Sequence, residues 1–380
     1  MSGEGTAVVV EVAWVNGLAA IRSLGRKGLR VLAVDNRAFA LGLRSRYAEA
    51  RLAPDPLDDE AGFIAALRAI AEETDDVLPV FPTHDEHLNA IARHAGELGD
   101  RYRFPFPSWD VLEKIQSKRH QLETADSIGV PIPRTLYPQS AEEARAAGEE
   151  VGFPLIVKPS ANVGFRRSHK RQLFRCETPA ELDHAYELAA PHEPMVQELI
   201  PSGPEEMWTL GSYLDRDGQA LGLFSGHKLS QTRGYMGSAR AGEALWVDEV
   251  VEQGLALLRA LDFHGISQVE LMRDPRDGRY KLLEVNPRLW QWHSLAAACG
   301  VDLPWIAYRD LIGDPLPPAR MHGDGKRWAI TLMAGSGHAI ERPPYVDAVF
   351  ARDDPKPALV QLARHTLRGV RTMTGAGHRG

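Results

Sequence analysis

Two hydrophobic rhythms alternate along the first hundred residues. The run TAVVVEVAWV has the near-continuous apolar character of a buried strand, LAAIRSLGRKG places its apolar residues at helical spacing, and LRVLAVD returns to the strand pattern. Together they predict a β-α-β unit with a turn at Asn16-Gly17. A helix around EAGFIAALRAIAEE, a strand DVLPVF and a helix starting at Thr83 continue the alternation, which implies a parallel sheet. Thr83 and Glu86 have the spacing of a capping box.

The rhythm changes near residue 105, where RYRFPFPSWD gathers proline and aromatic residues at a boundary. A second helix-strand region opens with VLEKIQSKRHQLETADSIG. It continues through an extended GVPIPRTLYP, a helix SAEEARAAGEEVG and the short apolar strand FPLIVKP, which ends in Lys158. The polar loop SANVGFRRSHKRQ, a strand LFRC, a helix from about Pro179 to Ala190 and a strand MVQELI follow. Antiparallel hairpins then replace parallel units: WTLGSYLDRDGQALGLFSGHK and ISQVELMRDPRDGRYKLLEVNP each carry an Asp-Gly turn. Neither an internal repeat nor a low-complexity segment interrupts this order.

Composition narrows the class. The chain has 380 residues, 44% hydrophobic and 25% charged, which suits a globular protein of two or three domains. A net charge of -7, with Lys and Arg spread along the chain, argues against a nucleic-acid or anionic-membrane surface. Cys176 and Cys299 are too few and too far apart for a disulfide framework, so both are expected as buried, inert thiols of a cytoplasmic protein. No export signal and no membrane span are expected. The basic residues Arg364, Arg368, Arg371 and Arg379 read as a solvated helix and a frayed tail.

Candidate chemistry concentrates in the second hairpin. Successive strand side chains alternate in direction, so Glu284 and Asn286 share a face and flank an outward Val285, while Glu270 closes the partner strand. Oxygen ligands without His or Cys suit a hard divalent cation such as Mg²⁺; solvated strand ends are the plainer alternative. Lys158 precedes a loop with Asn162 and Gly164, where backbone N–H groups and a cation could gather around phosphate. In MVQELIPSGPEE, a strand running into a Pro-Gly connection leaves backbone groups able to read a purine edge. Asp35 could contact an NAD ribose, but the first turn lacks the G-x-G-x-x-G that close pyrophosphate approach requires. His84 and His87, three apart, are expected on a solvated helix start and not as metal ligands. Trp290 and Trp292 read as pocket wall or core, and His293 as a packed histidine in preference to a general base.

The pieces QSKRH, LIVKPS, VQELI, VELM and EVNPR follow one another in the order of the ATP-grasp superfamily, which the chain resembles over roughly residues 111 to 312. EVNPR, with Glu284 fourteen residues after Glu270, is the most specific of them. The closing run EVNPRLWQWHSLAAACGVDLPWIAY is most similar to the branch of carboxylate-amine ligases that includes D-aspartate ligase. The resemblance implies an α/β (α+β) protein, an ATP-grasp fold of two α+β lobes preceded by a Rossmann-like parallel-sheet domain. Residues 1–110 would form that first domain, 111–315 the ATP-grasp domain with lobes 111–193 and 194–315, and 316–380 a C-terminal extension.

Residue by residue, the resemblance makes Lys118 and Lys158 phosphate contacts of ATP, with Asn162 and Gly164 in a covering loop poorer in glycine than in many members. Gln197, Glu198, Leu199 and Ile200 would be the adenine hinge, and Glu205 or Glu206 would hold the ribose. Glu270, Glu284 and Asn286 would ligate Mg²⁺ (or Mn²⁺), and Arg288 would face the transferred phosphoryl group or the carboxylate substrate. Lys228, Arg233 and Arg240, in the glycine-rich stretch GHKLSQTRGYMGSAR between strands, would project toward the phosphates. The implied activity is ATP-dependent activation of a small carboxylate as an acyl phosphate, followed by capture with an amine. A bicarbonate-using carboxylase or carbamoyl phosphate synthase-like enzyme, and a non-catalytic ATP sensor, are the alternatives. Small-molecule carboxylate and amine substrates are the expected partners, and a homodimer is a possible assembly.

Overall fold

The structure, a computed structural model, describes residues 5–160, 165–169, 172–232, 237–331 and 345–363, except for the side chains of 166 and 167. The N-terminal part builds a five-stranded sheet in the order Ala48–Leu52, Arg30–Asp35, Thr6–Val10, Leu78–Pro82, Tyr102–Arg103, with every pair parallel. Ala7, Val8, Val9 and Val10 are fully buried, as a strand covered on both faces requires. The helix Glu60–Glu72 starts where the Asp59 carboxylate accepts the Gly62 N–H at 2.8 Å.

Two local readings are corrected here. The expected turn at Asn16-Gly17 lies inside the helix Val15–Arg26. Gly17 lets that helix start directly against the end of the first strand, because a Cβ there would stand 2.6 Å from Val12 Cα and 2.9 Å from the Glu11 carbonyl oxygen. The helix predicted from Thr83 begins at Asp85, with His84 at its N-cap. Thr83 does not cap it, since its hydroxyl donates to the Glu11 carbonyl at 2.5 Å. His87 is buried and edge-on to Phe63, and burial pushes its pKa down to about 4, so the solvated reading fails for it.

The middle of the chain forms a four-stranded antiparallel sheet in the order Thr135–Leu136, Pro194–Glu198, Leu155–Pro159, Phe174–Cys176. The helices Ala141–Val151 and Pro179–Ala189 pack on it, capped by Ser140 and Thr178. Ahead of it stand two helices, Trp109–Gln116 and Lys118–Ser127, broken at Ser117, whose hydroxyl accepts the His120 N–H.

Among the described residues the third sheet has eight strands. The predicted hairpins are the pairs Met207–Leu214 with Ala220–Gln231 and Gly265–Arg273 with Tyr280–Asn286; the two hairpins are joined to each other between Met207–Leu214 and Gly265–Arg273. Their turn glycines, Gly218 and Gly278, both take φ +75°. Lys228 and Arg240 sit within the paired strands Ala220–Gln231 and Ala239–Ala244 and not in a loop between them; Arg233 lies outside the described residues. Beyond residue 315, Ala319–Arg320, Arg327–Ala329 and Tyr345–Asp347 add to the same sheet. Val285 is buried beneath the helix Lys118–Ser127, where Gln121 bonds its N–H (2.8 Å) and its C=O (3.0 Å), so it faces inward and not outward.

The last described segment straps the N-terminal helix down. Asp354 is fully buried and accepts from Arg22 Nε at 2.9 Å, Ser45 Oγ at 2.7 Å and the Arg46 N–H at 2.9 Å. Arg22 also donates to the carbonyls of Val349 and Asp354, both at 2.8 Å. Cys176 and Cys299 are buried free thiols, and among the described residues no helix is long and apolar enough to cross a membrane.

Removing one partner of a buried, hydrogen-bonded ion pair leaves the other uncompensated. Asp354→Ala is therefore expected to lower unfolding free energy by about 3–5 kcal/mol in a urea titration, and the double variant Arg22→Met, Asp354→Leu to recover most of it.

Candidate active site

Glu270 and Glu284 are directly paired across adjacent antiparallel strands, which puts their side chains on the same face of the sheet. Gln268, two residues before Glu270, and Asn286, two after Glu284, fall on that face by the same alternation. The four side chains form one hydrogen-bonded group. Gln268 Nε2 donates to Glu270 Oε1 at 3.2 Å, and Asn286 Nδ2 donates to Glu284 Oε1 at 3.2 Å and to Gln268 Oε1 at 3.4 Å.

Lysines from separate parts of the fold converge on the two carboxylates. Lys118, first residue of its helix, bonds Glu284 through its ammonium. Lys228, one strand beyond the neighbour of Glu270, reaches Glu270 at 2.9 Å. Burial alone would raise the Glu284 pKa, but the charge and hydrogen bond of Lys118, with the Asn286 amide, hold it well below the usual carboxylate range. Lys158 comes from the four-stranded sheet and is 3% exposed. Burial drives its pKa down to about 7, Lys118 adds like-charge repulsion, and Glu284 opposes both. Among the described residues, no hydrogen bond or ion pair holds the Lys158 ammonium.

These six groups, Lys118, Lys158, Lys228, Glu270, Glu284 and Asn286, line one cavity of about 730 Å³. Arg288 lines it as well, forked on Asp85 of the N-terminal part at 2.6 and 3.2 Å and standing 3.5 Å from Asn286 Oδ1. Burial would lower the Arg288 pKa, and Asp85 more than offsets it. Among the described residues, no group of three or more His, Cys, Asp and Glu side chains is placed to hold a metal. Two carboxylates and an amide oxygen fit Mg²⁺, which takes few protein ligands and completes its shell with phosphate and water oxygens; they do not fit zinc.

Other expected residues lie elsewhere. Gln197, Glu198, Leu199, Ile200, Glu205 and Glu206 are not on the cavity wall. Gln197 bonds Thr135 at 2.7 Å, and Glu198 is taken up by Arg276, Lys281 and the Arg134 N–H. Ile200 packs with Met207, Met272 and Leu283, and of these Met207 and Leu283 do reach the wall. The Glu205 carbonyl faces His227, Glu206 stands 3.9 Å from Arg273, and Arg240 is off the wall. Asn162, Gly164 and Arg233 lie outside the described residues. Trp290 and Trp292 serve both expected roles, each 1% exposed and each part of the wall. Trp290 fits because Gly211 beneath it has no Cβ to collide with its ring. His293 is off the wall; its Nε2 donates to the Asn16 carbonyl at 3.0 Å, and burial lowers its pKa to about 4 against that bond.

Sequence reasoning missed Trp14, Asn16, Arg37 and Gln291 on the wall, and treated His84 there as surface. Asp35, considered for a ribose, instead accepts the Val12 N–H at 2.8 Å and Arg37 Nε at 2.9 Å. Gln268 was readable, since it shares the two-residue period of Glu270.

Comparisons with known proteins agree with this geometry. Residues 245–318 match the family described as carbamoyl-phosphate synthase L chain, ATP binding domain. D-aspartate ligase of Enterococcus faecium is 26% identical over 240 residues, 60% of this chain and 57% of that protein, so the match spans little more than half of the relative's length. Biotin carboxylase from Campylobacter jejuni, solved with an ATP analogue, superposes with a TM-score of 0.66 at 19% identity, covering 82% of this chain and 72% of that one. L-amino acid ligase from Bacillus licheniformis gives 0.63 at 16% identity, covering 83% and 76%. The mixed architecture, a five-stranded parallel sheet followed by two antiparallel sheets that enclose a carboxylate pair, is the ATP-grasp fold. The chain shares this fold with both solved proteins.

The buried Lys158 makes a stability prediction whose sign follows from its lowered pKa. Between the ordinary lysine value of 10.5 and about 7, the unfolded chain binds a proton that the folded protein does not. The resulting cost grows as pH falls through that window and is complete below it. Lys158→Met should raise unfolding free energy by roughly 2–4 kcal/mol at pH 6.5, and by progressively less toward pH 10.5, in urea titrations across the window.

Proposed function

We propose that the protein is an ATP-dependent ligase that activates a small carboxylate as an acyl phosphate and joins it to an amine, releasing ADP and phosphate. The observation that carries this reading is the convergence of three lysines, two paired carboxylates and a forked arginine on one cavity. The similarity to D-aspartate ligase supports the carbon-nitrogen bond as the product.

In this reading Glu270, Glu284 and Asn286 hold Mg²⁺, with Mn²⁺ as an oxygen-preferring substitute. When bound, the ion neutralises charge between adjacent phosphate oxygens. Lys118 and Lys158 contact the ATP phosphates. For Lys118 this means leaving Glu284 to the metal, so its ion pair is a resting contact that substrate binding exchanges. Lys158, buried without a counter-ion of its own, regains its proton when phosphate arrives. The adenine is assigned to the hinge Gln197–Ile200, whose Ile200 packs on Met207 and Leu283 of the cavity wall, with Glu205 or Glu206 toward the ribose. Lys228 and Arg288 hold the carboxylate substrate beside the γ-phosphate.

Chemistry then needs positioning above all. A carboxylate oxygen attacks the γ-phosphorus, the bond to the bridging β-oxygen breaks, and ADP leaves with that electron pair. The amine nitrogen attacks the acyl carbon, phosphate departs with the carbon-oxygen electrons, and the nitrogen loses one proton. A second reading, activation of bicarbonate, is supported by the match to the carbamoyl-phosphate synthase domain and the likeness to biotin carboxylase.

Hydroxylamine, as a small surrogate amine, separates the two. With MgATP and a panel of carboxylates, the ligase reading expects a hydroxamate that forms only when its carboxylate is present. Glu284→Gln should cut its formation by about 10²–10³-fold, the loss typical of one electrostatic stabiliser. ADP release that depends on bicarbonate alone would establish the carboxylase reading, and tight ATP binding without turnover on any acceptor would leave a sensor.

A further inference from the structure

The wall of the cavity farthest in sequence from the strands of Glu270 and Glu284 is the start of the first helix, Ala13 and the N-cap Trp14 followed by the helical residues Val15 and Asn16. Asn16 is 6% exposed, and its side-chain amide has a fixed orientation: Nδ2 donates to the Thr83 carbonyl at 3.0 Å and to the Leu289 carbonyl at 3.4 Å. Both partners can only accept, so the buried atom left over is Oδ1. It has no hydrogen-bond partner among the described residues. A buried carbonyl-type oxygen without a donor is destabilising unless something brings one.

Trp14, two residues earlier, shows the opposite anomaly. It lines the same cavity yet is 50% exposed, and among the described residues its indole makes no ring contact, cation-π contact or hydrogen bond. It also occupies the N-cap of the helix without a side-chain capping bond, where Ser, Thr, Asp or Asn would stabilise the helix. An apolar side chain placed at that position and left half open contributes nothing visible to the fold. Leu41, Trp290 and Ile330 extend the apolar wall beside it.

Resting on the ligase reading, we infer that this helix start selects the amine substrate. The amine donates an N–H to Asn16 Oδ1 and lays an apolar or aromatic group on the Trp14 indole. An uncharged amide oxygen suits this role because it orients an amine through one N–H without the strong preference for ammonium that a carboxylate would impose. The nitrogen lone pair then stays available for the acyl carbon. Asn16 is tied through its own amide to Thr83 and Leu289, so the acceptor is held in place relative to Arg288, the residue that precedes Leu289.

The test uses the full chain, MgATP and a carboxylate that yields hydroxamate, with glycine, serine, leucine, phenylalanine and tryptophan as amines. The wild type should show kcat/KM at least tenfold higher for phenylalanine or tryptophan than for glycine. Trp14→Ala should collapse that ratio to within threefold, mainly through KM, and Trp14→Phe should keep most of it. A ratio is insensitive to a general loss of active protein, which lowers both terms. Asn16→Leu should raise KM for every amine at least tenfold while moving KM for the carboxylate less than twofold; if that variant does not fold, the Trp14 ratios decide. A wild type that prefers glycine or serine, or a Trp14→Ala ratio equal to that of the wild type, overturns the inference and leaves the ligase reading standing. Absence of hydroxamate from every carboxylate overturns both.

Discussion

Two carboxylates side by side on adjacent strands repel each other, and the structure around Glu270 and Glu284 is organised to offset that repulsion. Each has a lysine of its own, Lys118 from a helix that packs across the sheet and Lys228 from a strand of the same sheet. Lys158, from the other antiparallel sheet, feels Glu284 and Lys118 and is buried, with its proton held weakly. Three ammonium groups facing two carboxylates leave this cluster one positive charge ahead when all are ionised, and Arg37 and Arg288 add two more cations to the same wall. That excess suits a polyanion.

The cost of this arrangement is concentrated at one residue. Lys158 is a cation with no direct counter-ion among the described residues, an arrangement a stability-optimised core would avoid. Buried groups that are satisfied only when something binds are the common mark of a site, and Asn16 Oδ1, on the same cavity wall, repeats the pattern with the opposite hydrogen-bonding sense.

The N-terminal sheet is part of the site and not merely an attachment to it. Arg288 lies two residues beyond the strand of Glu284 and Asn286, yet its guanidinium is forked on Asp85, and Asn16 bonds the carbonyl next to it. On the opposite side of the first helix, the Asp354 strap joins the same helix to the strands that extend the large sheet. The first helix is therefore clamped between the cavity and the C-terminal segment, and a displacement of either would shift Trp14 and Asn16 against the carboxylate pair.

What the sequence determined by itself was everything that depends on local periodicity. Alternating strands with Asp-Gly turns marked both hairpins, near-continuous apolar runs marked the parallel sheet, and the two-residue period put Glu284 and Asn286 on one face with Glu270 close by. What only the tertiary structure decided was which distant groups meet. Asn16-Gly17 has the composition of a turn, and it became helix because Gly17 packs against Val12 and Asn16 finds two carbonyls from residues far along the chain. His87 looked solvated from its place in a polar stretch and was buried by Phe63. Lys228 looked like a loop residue because the glycines around it resemble a flexible segment, but its strand pairs on both sides and aims it at Glu270. Arg288 was expected to meet substrate, and the fold pairs it with Asp85. Local preference is a matter of tenths of a kcal/mol to about 1 kcal/mol per residue, whereas burial and the pairing of buried polar groups are worth several times that. The long-range terms therefore outweighed the local pattern at the residues where the three sheets come together around the cavity.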